Sequence, residues 1–349
     1  MLNRRHFVIS GAAAMAAGPA FAGLDPVNPD IRFGTTGSIF GAWPKGEKAL
    51  SMVMSQDMRN MLMDIKHFGL EGFEPYSGQV VKWLDNPKGL KKLSDEIGVK
   101  IACIGDLPRR PNDKPVGTSN PWLGGEGRAK LISDMEAVAR DFLQPLGIDH
   151  WKNNMGQRPD AGPSDDQLKR LADTANEIGR RTLKYGVRLS LHPHIWGPME
   201  REHEFRKVME LTDPKLVWII MDTGHNVLGG MDTVKIVDEY FPRITEFHLK
   251  DTFPKYRFNK ATPTQAMHKE KSVYASVGQG GGVDFPGIFA VMRKKHFKGW
   301  AVFDIDAPRK GDGTGTVDDN LAACVNYLRT KLGVKLPPAD GKTGLYRET

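Results

Sequence analysis

The sequence predicts an α/β chain folded as a single (β/α)₈ TIM barrel, and three observations carry that reading. Eight short apolar runs recur along the chain. Amphipathic helical segments separate them, and polar residues gather after the same end of almost every run. Several helical segments stop at glycine, the residue that closes a helix in a left-handed turn. Helix–glycine–strand punctuation, repeated, marks βα units around a parallel sheet. A doubly wound dinucleotide-binding sheet is the competing architecture. Its glycine fingerprint is missing, because GTTGSIFG after the first run opens no clear helix.

The expected strands are IRFGTT (31–36), GFEPY (72–76), VKIACI (99–104), GIDHW (147–151), VRLSLH (187–192), LVWIIM (216–221), ITEFHL (244–249) and WAVFDI (300–305). Helical periodicity fills the gaps, as in MSQDMRNMLMDIKHFG, PKGLKKLSDEIG, ISDMEAVARDFLQPLG and SDDQLKRLADTANEIGRRTLKYG. Residues 252–282 form a long insertion after strand seven, first basic and then glycine-rich. Loops of that length are functional or unstructured. Leaving the C-terminal end of a barrel strand, this one would overhang the active face.

Composition is that of a globular protein, 40% hydrophobic and 26% charged. The formal charge of +7 contains no run of like charges and no interleaving of aromatic with basic residues. That weighs against a nucleic-acid partner. Residues 1–22 read as an export signal: Arg4 and Arg5 precede an alanine-rich apolar stretch, and AFA at 20–22 offers a cleavage site. The paired arginines resemble a twin-arginine signal. The stretch Val8–Ala22 is too short and too weakly apolar to span a bilayer. The expected product is one barrel domain (23–333) with a C-terminal extension (334–349), periplasmic and off the membrane after signal cleavage. A homo-oligomer stays open. Cys103 and Cys324 sit in apolar runs and read as small buried residues; a disulfide between them stays open.

Active sites of such barrels lie at the C-terminal strand ends. Those positions hold Glu74; His150, Asn153 and Asn154; His192 and His194; Asp222 and His225; His248, Lys250 and Asp251; and Asp304 and Asp306. Singly, each has an ordinary explanation. Asp222 could cap the following helix, His225 could be a structural hydrogen-bonding partner, His248 a core histidine, and Asp304 the partner of an arginine. Four potential ligands at the same end of four strands are a different matter. His192, Asp222, His248 and Asp304, with Asp306 as the alternative on strand eight, suit one divalent metal ion with open positions. Manganese is the leading expectation, with zinc, cobalt, iron or magnesium as alternatives. Such an ion polarises a carbonyl while a base removes the proton from the adjacent carbon.

These motifs resemble the xylose isomerase-like TIM-barrel superfamily of sugar isomerases and epimerases, which also holds inosose dehydratases and family-2 apurinic endonucleases. GLEGFEPY resembles its strand-two block, LSLHPH strand five, MDTGHN strand six and FHLKD strand seven. The stretch 277–306 resembles its long C-terminal block. The resemblance implies that His192, Asp222, His248 and Asp304 occupy the four ligand positions. His192 stands where many members have glutamate, as in the inosose-dehydratase-like branch, and Asp304 is one methylene shorter than the usual glutamate. In the epimerases those two glutamates are also the paired acid and base. Proton transfer should therefore pass to neighbours: His194 as a base with a near-neutral pKa, Lys250 as a shuttle or oxygen holder, and Glu74 orienting hydroxyls. Asn154 and Asp306 are further expected substrate contacts. Glu200, Glu202 and Glu204 are lesser candidates.

Four functions compete. A metal-dependent isomerase or epimerase acting through an enediolate on a non-phosphorylated sugar comes first. A lyase or dehydratase on a keto-sugar, 3-keto-glycoside or keto-inositol comes second, favoured by the HPH block and by the two departures. A sugar-binding protein without turnover is disfavoured by the retained ligand set, and an apurinic endonuclease by the export signal.

Overall fold

A computed structural model of the chain describes residues 30–41, 55–110, 119–308 and 315–338; the expected signal at 1–22 lies outside them. The strands are β1 (Ile31–Thr36), β2 (Gly72–Glu74), β3 (Lys100–Ile101), β4 (His150–Asn153), β5 (Arg188–Leu191), β6 (Val217–Asp222), β7 (Ile244–Leu249) and β8 (Gly299–Phe303). They form one curled sheet in the order β3-β2-β1-β8-β7-β6-β5-β4, and every ladder is parallel. β3 and β4 share no ladder. The sheet meets itself there through one bridge, Gly105 to Lys152, and Asp106 N–H donates to Lys152 O at 2.9 Å.

The principal helices are α1 (Ser55–His67), α2 (Pro87–Ile97), α3 (Arg128–Val138), α4 (Asp165–Leu183), α5 (Glu202–Leu211), α6 (Thr223–Leu228), α7 (Thr233–Tyr240), α8 (Gln265–Glu270), α9 (Phe285–Lys294) and α10 (Val317–Lys331). Local chemistry sets their ends. Ser164 and Gln167 close a reciprocal capping box at the start of α4, and Asn86 with Pro87 opens α2. Gly98, at φ 85°, stops α2 in the left-handed region.

Strand alternation sorts the side chains into two layers. Phe73, Leu189, Leu191, Ile219, Met221, Phe247, Leu249 and Phe303 join the main apolar core with the helices. The opposite faces carry Glu74, His150, Lys152, Glu246 and His248, all buried. The barrel interior is therefore charged where such barrels commonly hold aliphatic layers. Among the described residues no helix is long and apolar enough to cross a membrane. Cys103 and Cys324 are buried and free, so they form no disulfide. The first residues after 333 pack back on the barrel: Val334 is buried, and Pro337 O accepts from Arg329 Nη2 at 2.6 Å.

Strand three keeps only Lys100–Ile101 of the expected 99–104, and strand four departs from its expected place. β4 begins at His150 rather than Gly147, because residues 147–148 still belong to the preceding helix end. Gly147 turns at φ 86°, and the N–H groups of Gly147 and Ile148 both return to Leu143 O, at 3.0 and 3.1 Å. His150 therefore starts its strand instead of ending it, and lies at the N-terminal end of the barrel, away from the mouth.

Candidate metal centre and active site

At the mouth, β5, β6, β7 and β8 bring His192, Asp222, His248 and Asp304 together. One donor atom from each lies within 4.8 Å of all the others. His192 Nε2 is 3.5 Å from Asp222 Oδ2, and His248 Nδ1 is 3.9 Å from Asp222 Oδ2 and 3.5 Å from Asp304 Oδ2. The second polar atom of every member is already engaged. His192 Nδ1 faces Asn154 Oδ1 at 2.8 Å, and His248 Nε2 faces Glu74 Oε2 at 2.7 Å. Asp222 Oδ1 accepts the His225 N–H at 2.7 Å, so the cap and the cluster use different oxygens of one carboxylate. Asp304 Oδ1 accepts the Thr36 and Ser38 hydroxyls, each at 3.1 Å. What remains is a convergent set. His192 Nε2, His248 Nδ1 and Asp222 Oδ2 are buried with no hydrogen-bond partner among the described residues. Oriented donors with tied second atoms are the construction a metal ion requires.

Burial governs the electrostatics. It pushes Asp222 and Glu74 up to about 7, and holds the His192 and His225 imidazoles well below the ordinary histidine value. His248 goes the other way. Burial opposes its charge, but the Glu74 and Asp304 carboxylates outweigh burial and raise the ring to about 10. Lys250 is raised above its ordinary value although burial works against it, because Asp304, Asp306 and Asp222 surround it.

The expected proton-transfer groups change character accordingly. His194 borders the mouth with its ring open to it, and Nδ1 donates to Ile195 O. Burial pushes it down to about 4, so it is a neutral acceptor rather than a group titrating near 7. Lys250 stays an ammonium, 3.2 Å from Asp306 Oδ1 and 3.4 Å from Asp304 Oδ2, and lies 4.4 Å over the Tyr274 ring. It can hold an oxygen or donate a proton, but it cannot begin as a base. Glu74 does not face the mouth cavity; its buried carboxylate lies behind His248. Asn154 lines the mouth and also fixes the His192 ring. Asp306 is the more exposed carboxylate and contacts Lys250 and His268 rather than the donor cluster.

Other expectations fail for clear reasons. His225 is no satisfied structural partner: among the described residues neither ring nitrogen finds a hydrogen bond, and its ring lies 3.7 Å from that of His194. Glu200 and Glu204 pair with Arg158 at 3.2 and 2.6 Å, and Glu202 pairs with Arg206 at 2.8 Å, so none serves the cluster. Asp251 turns away from the mouth. Its carboxylate accepts N–H bonds from Thr252, Gly278, Gly280, Gly281 and Val283, which pins the glycine-rich end of the insertion. A Cβ on Gly280 would stand 2.0 Å from Thr252 O, which is why that approach needs glycine.

The insertion does overhang the mouth. It supplies His268 and Tyr274 to a cavity of about 450 Å³, also lined by Tyr76, Trp196 and Lys250. Sequence reading missed these aromatic groups, since irregular loops carry no periodicity to mark them. Two had a signal: Trp196 lies two residues beyond His194, and Tyr76 two residues beyond Glu74.

The fold is an eight-stranded parallel α/β barrel whose mouth gathers four candidate metal donors. The chain belongs to the xylose isomerase-like TIM barrel family, whose profile matches residues 62–328. An inosose dehydratase from Clostridium beijerinckii is 30% identical over 151 residues, covering 41% of this chain and 48% of that protein. The chain thus spans about half the length of the curated relatives it matches. A sugar phosphate isomerase/epimerase from Parabacteroides distasonis shares the fold with a TM-score of 0.61 at 18% identity, over 91% of this chain and all of that one. The IOLI protein, solved with a zinc atom, superposes with a TM-score of 0.60 at 13% identity, over 85% of this chain and 96% of its own. The enzymes that this chain resembles are, by name, sugar isomerases, epimerases and dehydratases.

Proposed function

We propose that the protein is a divalent-metal-dependent isomerase or epimerase that removes a proton α to the carbonyl of a non-phosphorylated sugar or sugar derivative. One observation carries the reading: four donor groups from four strands converge at the mouth while their second polar atoms are tied. His192, Asp222, His248 and Asp304 would hold the ion, with manganese or zinc the leading identities. When bound, it would polarise the substrate carbonyl and stabilise negative charge on oxygen. His194, neutral and open to the cavity, accepts the proton from carbon. Lys250, held as an ammonium, supports the enediolate charge and can return a proton. Asp306 orients Lys250 at 3.2 Å. The twin-arginine signal expected at residues 1–22 would deliver the protein to the periplasm, which suits an unphosphorylated substrate.

A second reading, elimination of a β-substituent by a lyase or dehydratase, has one observation in its favour. The two groups assigned to proton transfer are an imidazole and an ammonium, where a two-base epimerase needs two proton acceptors. Incubation of keto-sugars with the metal-loaded protein in D₂O separates the outcomes. Deuterium at the α-carbon of an intact sugar supports isomerisation or epimerisation, and release of water or an alcohol supports elimination. Full turnover after chelation with no metal detected would sink both. His194→Gln should keep its metal and lose about 10²–10⁴-fold in exchange rate, the usual worth of a positioned acid or base.

A further inference from the structure

Trp196 is the most constrained side chain near the mouth that proton abstraction does not use. It is a bulky residue at φ 66°, a left-handed conformation that strains a side chain of this kind. Glycine occupies the next position, so a turn alone could have been built without strain. The surroundings fix the residue on every side. Its N–H donates to the buried Glu200 carboxylate at 2.6 Å, its carbonyl accepts from Arg158 N–H at 2.8 Å, and its indole N–H donates to Pro263 O at 2.8 Å. With all polar atoms satisfied, what the strain secures is the position of the indole faces.

Those faces border two cavities. One is the mouth cavity of about 450 Å³ that holds Lys250, Asp304 and Asp306. The other, about 220 Å³, lies under the first turn of α8 and reaches His192. The two share Asn154, His194 and Trp196 as a common wall, and each touches the donor cluster, the smaller at His192 and the larger at Asp304. The smaller one far exceeds the ~15 Å³ that accommodates a single water. Its lining is neutral: Met155, Ile195 and Trp196 are apolar, and Gln157 and Gln265 contribute amides. Lys, Arg, Asp and Glu are absent from it among the described residues. Its far wall is also built rather than loose, since Asn120 Nδ2 donates to Met155 O at 2.8 Å and to Gln157 O at 3.2 Å.

We propose that the smaller cavity is a second binding subsite, with Trp196 as its stacking platform, for an uncharged ring joined glycosidically to the sugar that reacts at the mouth. The proposal rests on the function proposed above and narrows its substrate class from sugars and sugar derivatives at large to glycosides. A phosphate finds no cation in this lobe, whereas a pyranose or aryl ring offers an apolar face to the indole and an edge to the amides. The apolar and neutral lining selects ring shape over charge.

The test uses the full-length, metal-loaded protein and compares one-ring with two-ring ligands. Calorimetry with methyl β-D-glucopyranoside, phenyl β-D-glucopyranoside and cellobiose reads the subsite without turnover. The two-ring ligands should bind at least about tenfold more tightly than the methyl glycoside. Trp196→Gly keeps the left-handed backbone available while removing the platform, and should bring that ratio close to one with the metal content unchanged. Phenyl glycoside and cellobiose separate an aryl from a sugar occupant, and preference for either supports the subsite. Equal binding of one-ring and two-ring ligands, or a preference that survives Trp196→Gly, would overturn it. If these ligands show the predicted pattern but no keto-sugar or keto-glycoside exchanges deuterium, the functional reading fails while the subsite stands.

Discussion

Among the described residues the barrel has a buried histidine–carboxylate cluster at each end, and the imidazoles in the two are satisfied in opposite ways. At the mouth, each donor group has one polar atom tied and another left over, and the leftovers converge. At the N-terminal end, His150 has nothing left over: Nδ1 meets Asp149 and Nε2 meets Glu246, each at 2.6 Å. Cys103, beside it, has its sulfur 3.4 Å from His150 O and accepts the Lys152 N–H at 3.2 Å. Both places set buried imidazoles against carboxylates, although Asp149 is 67% exposed and Cys103 has no counterpart at the mouth. The difference lies in which atoms remain available, because a satisfied imidazole is a structural cross-link and an unsatisfied one is a ligand in waiting.

That contrast can be broken from either end. The largest effect should come from the mouth: Asp222→Ala or His248→Ala should remove the bound metal and lower turnover by about 10³-fold or more, the scale of losing charge stabilisation at a reacting centre. Metal analysis beside deuterium exchange checks it, and a variant that keeps both metal and rate would remove the proposed ligand set. The opposite end should answer in stability. His150→Gln breaks a buried charge pair and should cost about 3–5 kcal/mol in urea unfolding, with metal stoichiometry preserved.

The same variant has a pH signature. Burial works against charge on His150, yet Cys103, Asp149 and Glu246 together hold its pKa well above the ordinary value. A raised folded-state pKa gives stability that is complete below the unfolded value of about 6.5 and drains away as pH climbs through the folded one. The gap between native protein and His150→Gln should therefore narrow from neutral into alkaline solution. A gap that widens instead would show that the ring is buried neutral.

The smallest effect concerns the group linking the two ends. Glu74 supports His248 from behind at 2.7 Å, so Glu74→Gln should keep the fold and weaken metal affinity by about 10–100-fold, as outer-shell changes do. A variant with unchanged affinity would reduce Glu74 to a packing role. The comparison would then rest on the four donor groups alone.

Much of this was legible before any coordinates. Period-two alternation in ITEFHLKD puts Glu246, His248 and Lys250 on one face and Phe247 and Leu249 on the other, and the strand lies at the expected residues. The HPH block and MDTGH place His192 and Asp222 at strand ends for the same reason. Where a helix ends and a strand begins was less legible, since the Gly147 cap consumes two residues that read as strand, and His150 moved to the other end of the barrel with them. Partners distant in sequence could not be read at all. Nothing in the spacing of Glu74 and His248 says that they touch across 174 positions.

The sequence by itself determined the parallel eight-stranded layout and the strand that carries each polar side chain, because both follow from local periodicity and helix stop signals. Only the tertiary structure decided which atoms are spent and which are left over. Hydrogen-bond saturation depends on the neighbours that folding supplies: His194 became a weakly basic neutral ring, Lys250 a fixed cation, and Trp196 a strained wall between two cavities.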